Sequence, residues 1–281
     1  MNQSSVFCTF KHYSFSVGLA VLLLAAGCTK TDSTPTFDVA LGQTSLGQVL
    51  TGANGKTLYY FASDITGQSQ CSGSCLTNWP VFYKETPTLG TNLIATDFTT
   101  ITRADGTKQT AYKGWPLYYY SGDTKAGDVA GEKLNNVWFV AKPSYSLFFA
   151  NAQLVGNDGK NYLADYTVGD GKTVYLVDAA GKTLYGYVPD KKNTNVYTKS
   201  DFSNNPTWPI AEIAIPTDLP SNLSTSDFSV IDVFGRKQLV FRGHPLYYFG
   251  PDGGVKGVTK GVSVPKPGVW PVYNASTTAL Q

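Results

Sequence analysis

Leu58-Tyr59-Tyr60-Phe61-Ala62-Ser63-Asp64 returns three more times with small changes. The later copies are Leu117-Tyr118-Tyr119-Tyr120-Ser121-Gly122-Asp123, Leu184-Tyr185-Gly186-Tyr187-Val188-Pro189-Asp190 and Leu246-Tyr247-Tyr248-Phe249-Gly250-Pro251-Asp252. Leucine, tyrosine, a second aromatic and an aspartate keep the same offsets in every copy. A tryptophan follows each of them: Trp79, Trp138, Trp208 and Trp270. Self-similarity of this kind sets the architecture before local propensities are weighed.

The copies alternate in kind. The first and third are entered through Gly-Lys-Thr (Gly55 to Thr57, Gly181 to Thr183). The second and fourth are entered through Gly114-Trp115-Pro116 and Gly243-His244-Pro245. The chain is thus a doublet repeated once, with 126 residues from Leu58 to Leu184 and 129 from Leu117 to Leu246. Two modules of this length suit ordinary domain sizes.

Each signature follows a turn signal. Asn54-Gly55, Ala180-Gly181, Asp105-Gly106 and Phe234-Gly235 separate runs rich in β-branched and aromatic residues, the pattern of hairpins. Outside the leader no stretch of a dozen residues carries a helical period. The expected fold is all-β, four related hairpin units in two tandem modules at 43–150 and 151–276. A single four-unit propeller-like ring is the alternative. Along each signature strand side chains alternate, which puts Tyr59 with Phe61, Tyr118 with Tyr120, Tyr185 with Tyr187 and Tyr247 with Phe249. That face is the expected core. Asp64, Asp123, Asp190 and Asp252 sit just past their strands, where a carboxylate commonly caps the following turn. All twelve residues are therefore expected to be structural, with contact to a ligand the alternative for the four aspartates.

The four signatures resemble a family of bacterial lipoproteins defined by a Tyr-x-aromatic-x-x-Asp motif, the secreted repeat of unknown function. Cys71-Ser72-Gly73-Ser74-Cys75 before Trp79-Pro80 matches the cysteine pair typical of that family's first repeat. The resemblance spans about residues 45 to 275 and implies an exported lipoprotein with no assigned biochemistry.

The N-terminus fits that address. Lys11 precedes the apolar run Val17 to Leu24, which is too short to span a bilayer, and Ala25-Ala26-Gly27 leads into Cys28. Residues 1–27 are expected to be a lipoprotein signal peptide, Cys28 the lipidated residue, and 28–42 a flexible tether. Acyl chains on Cys28 would hold the protein at the outer or inner membrane, outside the cytoplasm.

Composition and motifs exclude more than they assign. With the leader removed, 21 Lys and Arg face 20 Asp and Glu, so nothing electrostatic points to nucleic acid. Cys71 and Cys75 are the remaining cysteines beyond Cys28, and in an exported chain such a pair is expected to be bridged. A metal-binding thiolate pair or a redox-active dithiol are the alternatives. His244 is the one histidine beyond the leader, and Met1 is the one methionine, too few ligands for a blue-copper site. No nucleophile elbow, phosphate loop or zinc-protease motif occurs. Asp123 and Asp128 only loosely suggest a cation loop and are expected to form a solvated turn. No cofactor, metal or catalytic residue is expected. The expected role is a non-enzymatic structural or binding one in the cell envelope, with the membrane as partner through the lipid and any protein or glycan partner unspecified. The alternative is an envelope redox or metal-handling accessory protein using Cys71 and Cys75.

Overall fold

Asn54 and Gly55 both sit at positive φ, 62° and 70°, the backbone an Asn-Gly reversal requires, in a computed structural model that describes residues 36–281. The chain folds back there. The Gly52 amide donates to the Lys56 carbonyl at 2.8 Å and the Leu58 amide to the Leu50 carbonyl at 2.9 Å. The leader, Cys28 and the start of the tether lie outside the described residues.

In the first half, β1 (Ala40–Thr44) pairs antiparallel with β2 (Gly47–Thr51). Pairing begins inside the stretch expected to be tether because Val39 is fully buried and Leu41 packs on the same cluster. A five-stranded antiparallel sheet follows. Its strands are β3 (Tyr59–Phe61), β4 (Phe98–Thr102), β5 (Lys108–Tyr112), β6 (Trp115–Tyr118) and β7 (Trp138–Val140), in the order β4-β5-β6-β3-β7. The first and second signatures are direct neighbours, with Tyr59 opposite Tyr118 and Tyr60 opposite Leu117.

The second half repeats this arrangement. β8 (Leu147–Val155) pairs with β9 (Asn161–Tyr162) and with β10 (Lys172–Asp178), so its sheet starts at Leu147. β11 (Phe228–Val233), β12 (Arg236–Phe241) and β13 (His244–Pro245) form a second three-stranded sheet. The third signature joins through single bridges, Tyr185 to Tyr247 and Tyr185 to Val272. They match the pairing of Tyr59 with Tyr118 and Val140 in the first half. The fold of the described residues is all-β, with one four-residue helix (Cys75–Asn78) and a few short turns of 3-10 helix. Among the described residues the strands form open sheets of two, three, three and five, and no closed ring.

Both faces of the signature strands are buried. Tyr59 and Tyr118 pack with Val49, Trp79, Trp138 and Val140 on one face. Leu58 and Leu117 pack with Val39, Leu50, Phe82 and Ala141 on the other. The expected Tyr-and-aromatic face is therefore one of two cores. The leucine face is apolar enough to bury because further chain crosses it, which periodicity along one strand does not reveal.

The halves also share a core. Trp115 stacks on Phe148 with ring centroids 5.2 Å apart, and Tyr60 accepts a hydrogen bond from the Phe149 amide at 3.3 Å. Lys142 pairs with Asp218 at 2.6 Å, and the Lys256 ammonium donates to the Lys113 carbonyl at 3.1 Å. This contact explains the exchange of Trp115 for His244. The tryptophan side of the first half receives the second half. The matching side of the second half is filled by its own Tyr273, whose hydroxyl lies 3.1 Å from Nδ1 of His244. Tyr273 needs Gly186 beneath it, because a Cβ there would lie 2.0 Å from its hydroxyl.

Candidate functional site

The sequence draws attention to four tyrosines, four second aromatics and four aspartates, and the fold brings them together in pairs of signatures. In the first half the Tyr59 hydroxyl donates to the carboxylate of Asp123 at 2.7 Å, and Tyr118 donates to Asp64 at 2.6 Å. In the second half Tyr185 donates to Asp252 and Tyr247 to Asp190, both at 2.7 Å. Each signature thus gives its tyrosine to the other's aspartate. The antiparallel pairing requires this, since the end of one strand lies beside the start of its neighbour.

The other carboxylate oxygen serves the expected local purpose. Asp64 accepts from the Gln70 amide at 2.7 Å, Asp123 from Ala130 at 2.9 Å, Asp190 from Val196 at 2.8 Å and Asp252 from Lys260 at 3.0 Å. Every aspartate therefore ties down the loop after its own strand and fastens a partner strand as well. Asp128 spends its carboxylate on the Thr124 and Lys125 amides of its own loop at 2.9 and 3.0 Å, as a turn does.

Beside each pair of Tyr–Asp bonds runs a stack of four rings. In the first half the order is Phe61, Trp138, Trp79, Tyr120, with successive centroids 4.1, 3.7 and 4.6 Å apart. In the second half it is Tyr187, Trp270, Trp208, Phe249, at 4.3, 3.6 and 4.3 Å. The signature tyrosines meet the tryptophans edge-on, Tyr59 on Trp79 and Tyr247 on Trp270 among them. Ring pairs of these geometries contribute about 0.5–1.5 kcal/mol each beyond area burial. The tryptophan after each signature is thus part of the same unit.

Burial dominates the electrostatics. It pushes the Asp64 carboxyl up to about 7, against hydrogen bonds from Tyr118 and the Gln70 amide that favour the anion. Burial likewise raises Asp190 and Asp252 to about 6, and it raises Asp123. The phenols of Tyr59, Tyr118 and Tyr247 are pushed far upward, first by burial and then by the carboxylate each one faces. At Asp64 a neutral carboxyl has an outlet: the Tyr118 hydroxyl also lies 2.7 Å from Ser69 Oγ and can donate there instead.

These carboxyls bind protons more tightly folded than unfolded. Their contribution to stability is complete below about pH 4 and is lost as pH rises through about 6 to 7. Thermal unfolding should therefore show a midpoint that falls between pH 5 and pH 8. Asp64→Asn, which keeps an acceptor without a titrating proton, should flatten that slope. A midpoint that rises with pH over this interval would contradict the assignment.

Cys71 and Cys75 are bridged, with Sγ atoms 1.96 Å apart. A loop this short contributes on the order of 2 kcal/mol by chain entropy. The Arg103 guanidinium braces it from beneath, donating to the Cys71 carbonyl, Ser69 and Gln109 at 2.6–2.7 Å. The second half has no such pair. There Asn195 donates to Gln238 at 2.8 Å and holds the corresponding loop by its own side chain. Among the described residues no group of three or more His, Cys, Asp or Glu side chains is placed to hold a metal ion. No helix among them is long and apolar enough to cross a membrane.

Sequence reading missed the glycines under the stacks. A Cβ on Gly131 would lie 2.8 Å from Trp79 and 2.9 Å from Tyr59, and one on Gly261 would lie 2.8 Å from both Trp208 and Tyr185. Gly131 precedes its tryptophan by seven residues and Gly261 by nine. No fixed offset marks them, and only superposing the halves finds them.

A family model described as a secreted repeat of unknown function matches the chain twice, over residues 40–83 and 99–142. No curated protein and no solved structure matches it. The two matches cover the first and second signatures, so the chain is similar to this family over its first half and contains repeats with no assigned activity. The second half carries the same Tyr–Asp exchange and the same ring stack outside the matched residues.

Proposed function

We propose that this protein is a non-catalytic lipoprotein of the cell envelope, held outside the cytoplasm at the inner or outer membrane by lipid on Cys28, with a structural or binding role. One observation carries the non-catalytic reading: the signature residues are consumed internally. All four tyrosines are fully buried, and each hydroxyl is already donated to a carboxylate of the chain. The pairs fasten strands; Asp252 also lines a cavity beside Lys182 and Tyr248, but both its oxygens are already engaged, by the Tyr185 hydroxyl and the Lys260 amide. The description of the matched family as secreted, the bridged cysteine pair and the Ala25-Ala26-Gly27-Cys28 sequence together support the address.

The anchor has a direct test. Cys28→Ser expressed in a bacterial host should move from the membrane fraction to the soluble extracytoplasmic fraction and lose fatty-acid labelling. A variant that stays with membranes and differs in mass from the parent by no more than the exchange of sulfur for oxygen would end the lipid reading.

A further inference from the structure

Where the two halves meet, a cavity of about 400 Å³ is lined by Asn136, Val174, Asn222, Asn274, Ala275 and Ser276. Its volume falls in the range of small-molecule sites, and junctions between modules are a preferred place for them. None of the lining side chains is charged, and three of the six carry an amide.

The amides are held in place by the fold. Glu132, four residues before Asn136, accepts from both the amide and the hydroxyl of Ser221 at 3.2 and 2.6 Å. That clamp sets Asn222 across from the turn that carries Asn136. Asn274 is fixed by donating to the Val174 carbonyl at 3.2 Å and accepting from Ser276 Oγ at 2.7 Å. Asn222 is the exception. Its Oδ1 is buried, and nothing among the described residues pairs with it. A buried acceptor without a donor costs about 1–3 kcal/mol, and the residue that carries this one lines the cavity.

We infer that this cavity binds a neutral, hydroxyl-rich ligand, a mono- or disaccharide unit of a glycan. An amide carries an acceptor and two donors, which suits hydroxyl groups that both donate and accept; Asn136 and Asn222 supply these, while Asn274, already bonded to Val174 and Ser276, shapes the wall. Val174 and Ala275 supply the apolar wall against which the C–H face of a sugar ring can lie. The absence of charge among the lining residues disfavours carboxylated or amino sugars, because a buried unpaired ion is far costlier than a buried hydroxyl. The inference deepens the binding half of the proposed role by naming a ligand class, and it does not depend on the lipid anchor.

The test is calorimetric titration of the purified full-length protein with glucose, cellobiose, N-acetylglucosamine and its β1,4-linked dimer, alongside glucuronate and glucosamine. The expected result is saturable binding of at least one neutral sugar in the millimolar range or tighter. Asn222→Ala and Asn136→Ala should each weaken it about tenfold or more, the loss expected when a polar site gives up a hydrogen bond to its ligand. Asn136 is exposed, so its variant decides the matter even where Asn222→Ala does not fold. No saturable binding of any neutral sugar, tighter binding of glucuronate or glucosamine, or binding untouched by both substitutions would overturn the inference. A protein that binds no sugar yet still partitions with membranes through Cys28 loses this site and keeps the envelope reading.

Discussion

Replacing Trp270 by alanine should lower the stability of the protein by about 3–5 kcal/mol, the range for deleting a large buried aromatic. The side chain is 1% exposed and stands second in its stack. It lies face to face with Trp208 at 3.6 Å and Tyr187 at 4.3 Å, and edge-on to Tyr197 and Tyr247 at 4.8 and 5.1 Å. Its removal leaves a cavity that no neighbour can fill without abandoning the stack. The thermal midpoint should fall by roughly 10 °C or more for a chain of this size. Trp138→Ala should do the same from the first half, because the shared core around Tyr60, Trp115 and Phe148 couples the halves into one unfolding unit. Two separated transitions in either variant, one unshifted, would show that the halves unfold independently.

How much of this was legible in the sequence depends on which residues are asked. The four signatures, their doublet alternation and the hairpin turns are written in local chemistry. Asn54-Gly55 needs two positive φ angles, and it has them. Phe234-Gly235 adopts the same turn, with φ of 50° and 87°. The cysteine pair is legible because it is short and isolated. The exchange of tyrosine and aspartate between signatures is not. One offset kept in four copies suits a purely local cap, and half of each aspartate does act locally. Nothing in one strand says which neighbour it will lie against, so the cross-strand half becomes visible only once register is known. Gly186 shows the same limit. Along its own strand it reads as a lost aromatic, and in the fold it makes room for Tyr273. The amide-lined cavity is the extreme case, since its walls come from residues as distant in sequence as Asn136 and Asn274.

Asp190→Ala carries the second large effect, about 2–4 kcal/mol. The substitution strips the acceptor from two groups at once. The Tyr247 hydroxyl, fully buried, donates to this carboxylate, and the Val196 amide loses its bond as well. The unsatisfied buried hydroxyl costs about 1–3 kcal/mol, and the amide of the exposed Val196 adds the loss of one hydrogen bond, about 0.5–1.5 kcal/mol. Asp190→Asn should recover much of the loss, because the amide keeps an oxygen for Val196 and its nitrogen can donate to the tyrosine. An alanine variant as stable as the parent would mean the carboxylate contributes no net stability, its bonds being offset by the burial that pushes its pKa up to about 6.

The idea that the signatures fasten one another is tested most directly by a double-mutant cycle measured by denaturant unfolding. Asp190→Ala is combined with Tyr247→Phe from the neighbouring signature, and separately with Tyr185→Phe from its own. Tyr247 is the bonded partner, whereas Tyr185 bonds Asp252. The expected result is a coupling of about 1–3 kcal/mol for Asp190 with Tyr247, and a coupling under about 0.5 kcal/mol for Asp190 with Tyr185. Equal coupling to both tyrosines, or none to Tyr247, would contradict the exchange and return the aspartates to four separate turn caps.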